Sequence, residues 1–531
     1  MGRWSFEQLR GGPRRTPQEA ELFKDKDADE GEYPGNDYLV REVIQNALDA
    51  RAEGSEGPVR VRFALHDAVD APDRHRLIHY FSRLRAPLEA FGVEFDDDNA
   101  PRITPRFLVC EDFGTRGLEG DEHRFGEVPS SDRSRQDFFW FWRNIGSSAK
   151  TGDDLGRWGL GKTVYRAVSR ARCMFGMTIR QSDKRKLLMG QCVLQPHRHG
   201  GVEYHPEGYW CADDQSEIPQ PIVDQNELQQ FCEEWRFTRN GEPGLSVVSP
   251  FVPEELRADR ILQAVVVNFF VRILRGELVV ELSGPEFELV ELDAKSIRSA
   301  CTRLKWGGSK RKKLHAPPQI EFVRKCLATP PFFSTELLGT QRAPDFHEGA
   351  FSPEVLTKIQ HDLSAGELVA VRVRMALPRK KASSLVGQID VYIQRAPDGE
   401  RCDSYYVREG MTITRRSSRA ELHGIRSLVL VESGPMAKLL GDTEGPAHED
   451  WDKSAERPDR EWKSWKNRIE FARRVVDNLV EYLTPSQTEP DFELLADFFS
   501  IEEAEGGQRN RQQGSSENGS GAFPLVPSSA K

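Results

Sequence analysis

Apolar positions along this 531-residue chain follow two rhythms. Helical spacing comes first. Leu39, Val40, Val43, Ile44, Ala47 and Leu48 recur at three- and four-residue steps, which predicts a helix running down to Gly54, with Asn36 or Asp37 placed to cap it. Strict alternation follows in Val59-Arg-Val-Arg-Phe-Ala-Leu65, the pattern of a half-buried strand, and Phe107-Leu-Val-Cys110 is a short apolar run with strand character. Residues 173–179, 187–194 and 244–250 add strands, so the first half of the chain is predicted to be strand-rich. Within it, Asp137-Phe-Phe-Trp-Phe-Trp-Arg143 predicts a packed helix that anchors a lid, the alternative being an exposed partner patch.

Beyond Pro253 the texture changes. Residues 254–274 predict a long, largely buried helix, followed by a strand over 277–282 and a polar, basic insertion from about 290 to 343. Strand patterns return at 368–377, 387–393, 405–413 and 427–431. Trp462, Trp465, Ile469, Val476, Leu479 and Leu483 then mark an amphipathic helix. The Gly/Ser/Gln-rich stretch 505–531 has almost nothing to bury and is predicted to be disordered.

Three polar segments stand out against this frame. On the first helix Glu42, Asn46 and Asp49 stand at i, i+4 and i+7 and share the stripe away from the core, where an ordinary solvated face is the alternative reading. Asparagine is a mediocre helix former, but its amide oxygen suits magnesium, and a glutamate one turn earlier is placed to take a proton from a water attacking a terminal phosphate. The second segment, Glu111-Asp112-Phe-Gly114-Thr-Arg-Gly117, follows a strand. Asp112 can there accept from an exocyclic amino group such as that of adenine, and the two glycines let the backbone turn beneath a flat base; a plain Asp-Gly turn is the alternative. The third, Gly156-Arg-Trp-Gly159-Leu-Gly161-Lys162, leads into a helical pattern, so its amides and the helix start form an anion site. Gly156 to Thr163 also satisfies the Walker A string of a P-loop-type NTPase, although no apolar strand precedes it. Ser147, Ser148 and Lys150 precede this loop and are candidates for phosphate oxygens.

Taken in order, the three segments resemble the N, G1 and G2 boxes of the GHKL (Bergerat-fold) ATPase superfamily, and the layout is most similar to prokaryotic MORC, MutL and heat-shock-chaperone-like members. The resemblance implies an α+β fold: a Bergerat-fold ATPase α/β sandwich, then a ribosomal-protein-like α+β transducer domain and a small C-terminal helical region. It assigns Glu42 as general base, Asn46 as magnesium ligand, Asp49 as the supporting carboxylate and Asp112 as the adenine reader. Gly114 and Gly117 match the turn beneath the base, and Gly156, Gly159, Gly161 and Lys162 the phosphate lid, with Lys162 also a catalytic candidate. One residue more than the family's D-x-G-x-G spacing separates Gly114 from Gly117. Ser246 stands one place beyond the position where the family carries a supporting hydroxyl, so strand alternation aims it away from Asp112. A basic side chain of the transducer commonly reaches the γ-phosphate; Lys380, Lys381 and Arg408 are the candidates.

The division that follows is an N-terminal strap over 1–36, an ATPase domain over 37–253, a transducer-like domain over 254–431 and an α-rich region over 432–500. The implied ligands are ATP and Mg2+. The implied activity is slow ATP hydrolysis by a nucleotide-dependent dimeric clamp acting on DNA or on a partner protein encoded beside it, in genome defence. A nucleotide-sensing module with negligible turnover is the competing class.

Composition narrows this little. The net charge of −10 argues against wholesale coating of nucleic acid, although Lys310-Arg-Lys-Lys313 and Arg379-Lys-Lys381 are local basic clusters. The eight cysteines show no C-x-x-C pairing, so neither a zinc site nor a disulfide framework is indicated. The start of the chain carries no apolar signal region, and the longest apolar run, 264–274, is interrupted by Asn268 and Arg272 and too short to span a bilayer. A cytoplasmic protein that does not engage membranes is the expectation. His448, set among carboxylates in a loop after the last strand, is open to a metal or nuclease reading as well as to a plain loop.

Overall fold

A computed structural model describes residues 2–10, 35–126, 135–143, 162–212, 218–285, 287–306, 316–340, 343–414, 416–445 and 448–484. The chain divides into two compact units, Met1–Thr484 and Pro485–Lys531, and the described residues all belong to the first. Most of the expected strap (11–34), the basic cluster Lys310–Lys313 and the tail 505–531 lie outside the described residues.

Among the described residues the strands form two sheets, and the fold is α+β. The first sheet has ten strands: β1 (Arg3–Gln8), β2 (Val59–His66), β3 (Phe107–Phe113), β4 (Cys173–Ile179), β5 (Lys186–Val193), β6 (His197–His199), β7 (Val202–Cys211), β8 (Gly244–Pro250), β9 (Leu278–Gly284) and β10 (Phe287–Leu292). Their order is β1-β7-β5-β4-β8-β3-β2-β9-β10, with β6 on β7, and the pairings are antiparallel except for β2 with β9. The second sheet has six: β11 (Phe333–Leu337), β12 (Val369–Leu377), β13 (Leu385–Arg395), β14 (Ser404–Arg408), β15 (Met411–Thr412) and β16 (Ile425–Val431), in the order β11-β12-β13-β16-β14-β15.

Twelve α-helices accompany them among the described residues. They are α1 (Gly35–Asp49), α2 (Arg74–Phe81), α3 (Arg85–Glu89), α4 (Asp137–Trp142), α5 (Thr163–Ala167), α6 (Gln225–Glu234) and α7 (Ala258–Leu274), then α8 (Ile297–Arg303), α9 (Ile320–Ala328), α10 (Pro353–Ser364), α11 (Pro435–Asp442) and α12 (Trp465–Leu483).

Strand alternation sorts the apolar residues into separate cores. Val59, Val61, Phe63 and Leu65 of β2, with Leu108 and Cys110 of β3, face the layer that holds α1, α5 and α7. Phe107 and Val109 of β3, with Phe175 of β4, face the opposite side, where Trp4, Tyr80, Phe81, Trp210, Phe231 and Trp235 make an aromatic core. Leu39, Val40, Val43, Ile44 and Ala47 bury the core stripe of α1; full burial of each such large aliphatic side chain contributes about 1.5–3 kcal/mol. The α1/α7 core continues through Phe270, Phe322 and Val323 onto Tyr405, Val407, Leu428 and Leu430 of the second sheet. The far face of that sheet carries Val371, Val391, Tyr406 and Val429 under α10, α11 and α12.

Several sequence expectations are corrected here. Asn36 and Asp37 do not cap α1; they lie in its first turn, Asn36 bonded to the backbone of Glu255 and Arg257, and Asp37 accepting from Asn268 (2.6 Å) and pairing with Arg41 (3.2 Å). The beginning of the expected strap is β1, an edge strand of the chain's own first sheet, with Trp4 buried and its indole N–H donated to Tyr80 O. Its alternating apolar pair Trp4 and Phe6 supplies the reason: Trp4 packs on Phe175 and Trp210, and Phe6 on His197 and Tyr204. A division at 253/254 does not coincide with the sheets, since β9 pairs in parallel with β2 and β10 with β9. The supposed insertion at 290–343 contains the end of β10, then α8, α9 and β11, and Ile320, Phe322, Val323 and Cys326 of α9 are buried. The predicted strand over 405–413 is interrupted at Glu409 and Gly410, both with positive φ, so that β14 turns back into β15. Helices α11 and α12 are the outer layer of the second sheet rather than a separate region.

Candidate functional site

Asp112 is the sixth of the seven residues of β3, at the strand's end, and it stands opposite Val61 of β2. It shares strand parity with Leu108 and Cys110, so its side chain leaves the sheet on the α1 side. There its Oδ1 accepts the Leu245 amide (2.8 Å) and the Thr115 hydroxyl, with Arg239 Nη2 3.9 Å away. Burial pushes the Asp112 carboxyl above the usual carboxylate range; Arg239, Thr115 and Leu245 offset part of that rise. Ser246 has the opposite parity. Its hydroxyl donates to Glu111 (2.8 Å) and accepts from Arg239 Nε (2.9 Å), on the far side of the strand from the Asp112 side chain. Ser246 is therefore not brought together with the candidate adenine reader, as alternation in β8 requires.

Gly114 and Gly117 both have positive φ, +74° and +73°. At Gly117 a Cβ would lie 2.3 Å from the Ile179 carbonyl oxygen, so the turn needs a residue without a side chain there despite the longer spacing between the two glycines.

The turn is tied to the end of α1. Ala52 N–H donates to Gly114 O (2.9 Å), Arg116 N–H to Ala50 O (2.9 Å), and the Arg116 guanidinium to Asp49 O (2.8 Å). Arg116 also pairs with Asp137 at the start of α4 (3.0 Å). Glu42 is buried on α1, whereas Asn46 and Asp49, one and two turns on, are half-buried. A neutral amide oxygen between two carboxylates on one helix face suits a hard cation that keeps several waters, so the donor set fits magnesium. Burial raises the Tyr165 phenol of α5 well above the ordinary range, and Cys110, Asp112 and Glu42 add to the rise.

Of the third segment, Gly156, Gly159 and Gly161 lie outside the described residues, as do Ser148 and Lys150. Lys162 immediately precedes α5, is buried, and donates its ammonium to Trp140 O of α4. The aromatic run there is packed, with Phe138, Phe139 and Trp142 buried and Trp142 O accepting from Gln191 (2.7 Å).

Of the basic candidates in the second block, meaning the second sheet with the helices and loops packed on it, Lys380 and Lys381 are exposed, and Lys380 donates to Asp459 O. Arg408 is fully buried. Its guanidinium grips Glu444 through two bonds (Nε–Oε1 2.5 Å, Nη2–Oε2 2.6 Å), also pairs with Glu409, and lies in the field of Asp49. Burial raises the Glu444 carboxyl, but Arg408 and His448 lower it more, so it stays well below the usual carboxylate range.

Three contributors escaped the sequence reading. Thr178 accepts the Leu118 amide (2.8 Å) and donates to Gly244 O (3.0 Å); a lone hydroxyl in an otherwise apolar strand was its signal. Arg239 sits in a polar loop with no pattern to mark it, yet it reaches the backbone of Asp112 and Leu245 and stacks over Phe113 (4.6 Å to the ring centre). Arg41, beside Glu42, is buried and donates to His448 O (3.0 Å), Thr412 O (3.3 Å) and Thr414 Oγ1 (3.1 Å), fastening α1 to the second block. Its charge at a core-facing position of α1 was the only hint.

No protein-family model matches the sequence, and comparison with curated proteins finds no match. Among solved structures the chain is similar to the ATPase region of Saccharomyces cerevisiae topoisomerase II bound to ICRF-187 (dexrazoxane), with a TM-score of 0.34 and 8% identity over 91% of this chain and 93% of that one. It is also similar to the same region in a second structure (0.33, 8%; 91% and 93% covered) and to the ATPase and transducer domains of DNA topoisomerase II from Balamuthia mandrillaris (0.33, 8%; 90% and 91% covered). No helix among the described residues is long and apolar enough to cross a membrane.

Proposed function

We propose that the chain is a GHKL-type ATPase. The observation that carries this reading is the hydrogen-bonded joining of the end of α1 to the 112–117 turn. In this reading Asp112 accepts the adenine amino group, and the positive-φ glycines let backbone lie against the base. Asn46 supplies an oxygen to Mg2+, with Asp49 supporting it from the next turn. The bound ion would neutralise charge on the phosphates. Glu42 takes the proton from the attacking water. Gly156, Gly159, Gly161, Ser148, Lys150 and Lys162 are proposed to close over the phosphates. Lys380, Lys381 and Arg408 are the basic candidates of the second block for γ-phosphate sensing; Arg408 is already committed to Glu444 and Glu409.

Calorimetric titration with ATP tests the reading at its adenine end. Asp112→Asn removes a charged acceptor worth about 1.5–3 kcal/mol, so affinity should fall about 10- to 150-fold. Wild-type affinity in that variant would refute the assignment of Asp112.

The proposed biological form is an ATP-gated dimeric clamp on DNA or a partner protein, serving genome defence. A ligand shifts an equilibrium only by its differential affinity, so the dimer must bind nucleotide more tightly than the monomer does. Sedimentation with a non-hydrolysable ATP analogue should convert monomer into dimer at micromolar protein. A chain that binds the analogue yet stays monomeric would instead be the nucleotide-sensing module.

A further inference from the structure

His448 carries a second link between the two blocks. It lies in the loop after α11, buried to 2% exposure, with its backbone in the left-handed region (φ +51°). Such a conformation is uncommon for a residue other than glycine and persists only where surrounding contacts hold it. Here they do. Its carbonyl accepts the Arg41 guanidinium, and its Nδ1 stands 2.7 Å from Glu444 Oε2. Glu444 is locked in turn by Arg408 and by the Trp451 indole N–H (3.1 Å). An ionised carboxylate only accepts, so Nδ1 is the donor of that pair and the ring cannot rotate without breaking it. The remaining nitrogen, Nε2, is thereby aimed at α1 and stands 4.0 Å from Glu42 Oε1.

Resting on the ATPase reading above, we propose that His448 is a positioning residue for Glu42. With both ring nitrogens protonated, His448 donates Nδ1–H to Glu444 and turns Nε2–H toward Glu42 Oε1, 4.0 Å away, an ion-pair distance that steers the carboxylate without a direct hydrogen bond. Arg41 and Glu42 are consecutive on α1. One grips the backbone of His448, and the other faces its ring. Any movement that withdraws the loop from α1 releases both contacts together.

The test separates alignment from binding. His448→Ala should lower kcat by up to about 100-fold, since misplacing a catalytic group by about 1 Å can cost that much. KM and calorimetric affinity for a non-hydrolysable ATP analogue should change by less than about twofold, because Glu42 contributes to the transition state and little to ground-state binding. His448→Gln, which keeps an N–H near the position of Nε2, should restore part of kcat. Independently of activity, Glu42→Gln and His448→Gln should shift the melting temperature non-additively, as side chains in one network do. Should His448→Ala fail to fold, the Gln variants carry both measurements. A wild type without turnover would overturn the ATPase reading and this inference with it. Undiminished kcat in the His448 variants of an active enzyme, equal losses of kcat and analogue affinity, or strictly additive melting shifts would overturn the inference alone.

Discussion

Replacing Glu42 by alanine is expected to leave ATP binding near its wild-type strength while slowing hydrolysis about 100- to 10,000-fold, the range over which a positioned general base contributes. The asymmetry follows from where the charge matters. A carboxylate that accepts a proton from the attacking water acts as that water becomes a nucleophile, and adds little to the affinity of the ground state. Glu42 is buried on α1 beside a helix face that also offers Asn46 and Asp49, so in the proposed ATPase reading its removal deletes the acceptor without altering Asp112. Calorimetry and a turnover assay on the same preparation decide the matter. Joint loss of binding and turnover would mean that Glu42 holds α1 in place rather than acting on water.

The second large effect is on stability. Glu444→Gln should destabilise the fold by about 3 kcal/mol, because breaking a buried ion pair leaves a desolvated cation behind. This is the low end of the usual range, since Glu409 still faces the Arg408 guanidinium. Replacing the pair together by apolar residues of similar size should cost less than the single change, because no charge is then left buried. The pH dependence has a definite sign. Glu444 is held below its unfolded value, so its contribution is complete above the ordinary carboxylate range and is lost as pH falls through and below it. Denaturation midpoints of wild type and Glu444→Gln should therefore converge toward low pH. Parallel curves, or an unchanged midpoint at neutral pH, would show that the pair does not stabilise the fold.

Much of the local structure was legible in the chain itself. The 3.6-residue recurrence from Leu39 to Leu48 becomes α1, the alternation from Val59 to Leu65 becomes β2, and residues 173–179 and 244–250 are strands at the predicted positions. Periodicity is read well because it depends only on which residues of one element avoid water. Parity inside a strand also carried a functional consequence: it turned Ser246 away from Asp112 before any tertiary contact was known. Where a segment's own pattern was weak, as in α9 and β10, the reading failed, because those elements are stabilised by the faces they cover.

What tertiary structure alone decided is which separate pieces meet. The parallel pairing of β9 with β2 carries a hairpin of the supposed second domain into the first sheet. Arg239 comes from an unpatterned loop to brace the backbone of Asp112, and Arg41 reaches a carbonyl 407 residues away. His448, read from sequence as open to a metal or nuclease role or to a plain loop, is buried with one ring nitrogen on Glu444 and the other toward Glu42. Hydrophobic period tells a residue which way to face, but the energy of a buried charge depends on the partner it finds, and that partner is set by the packing of elements distant in the chain.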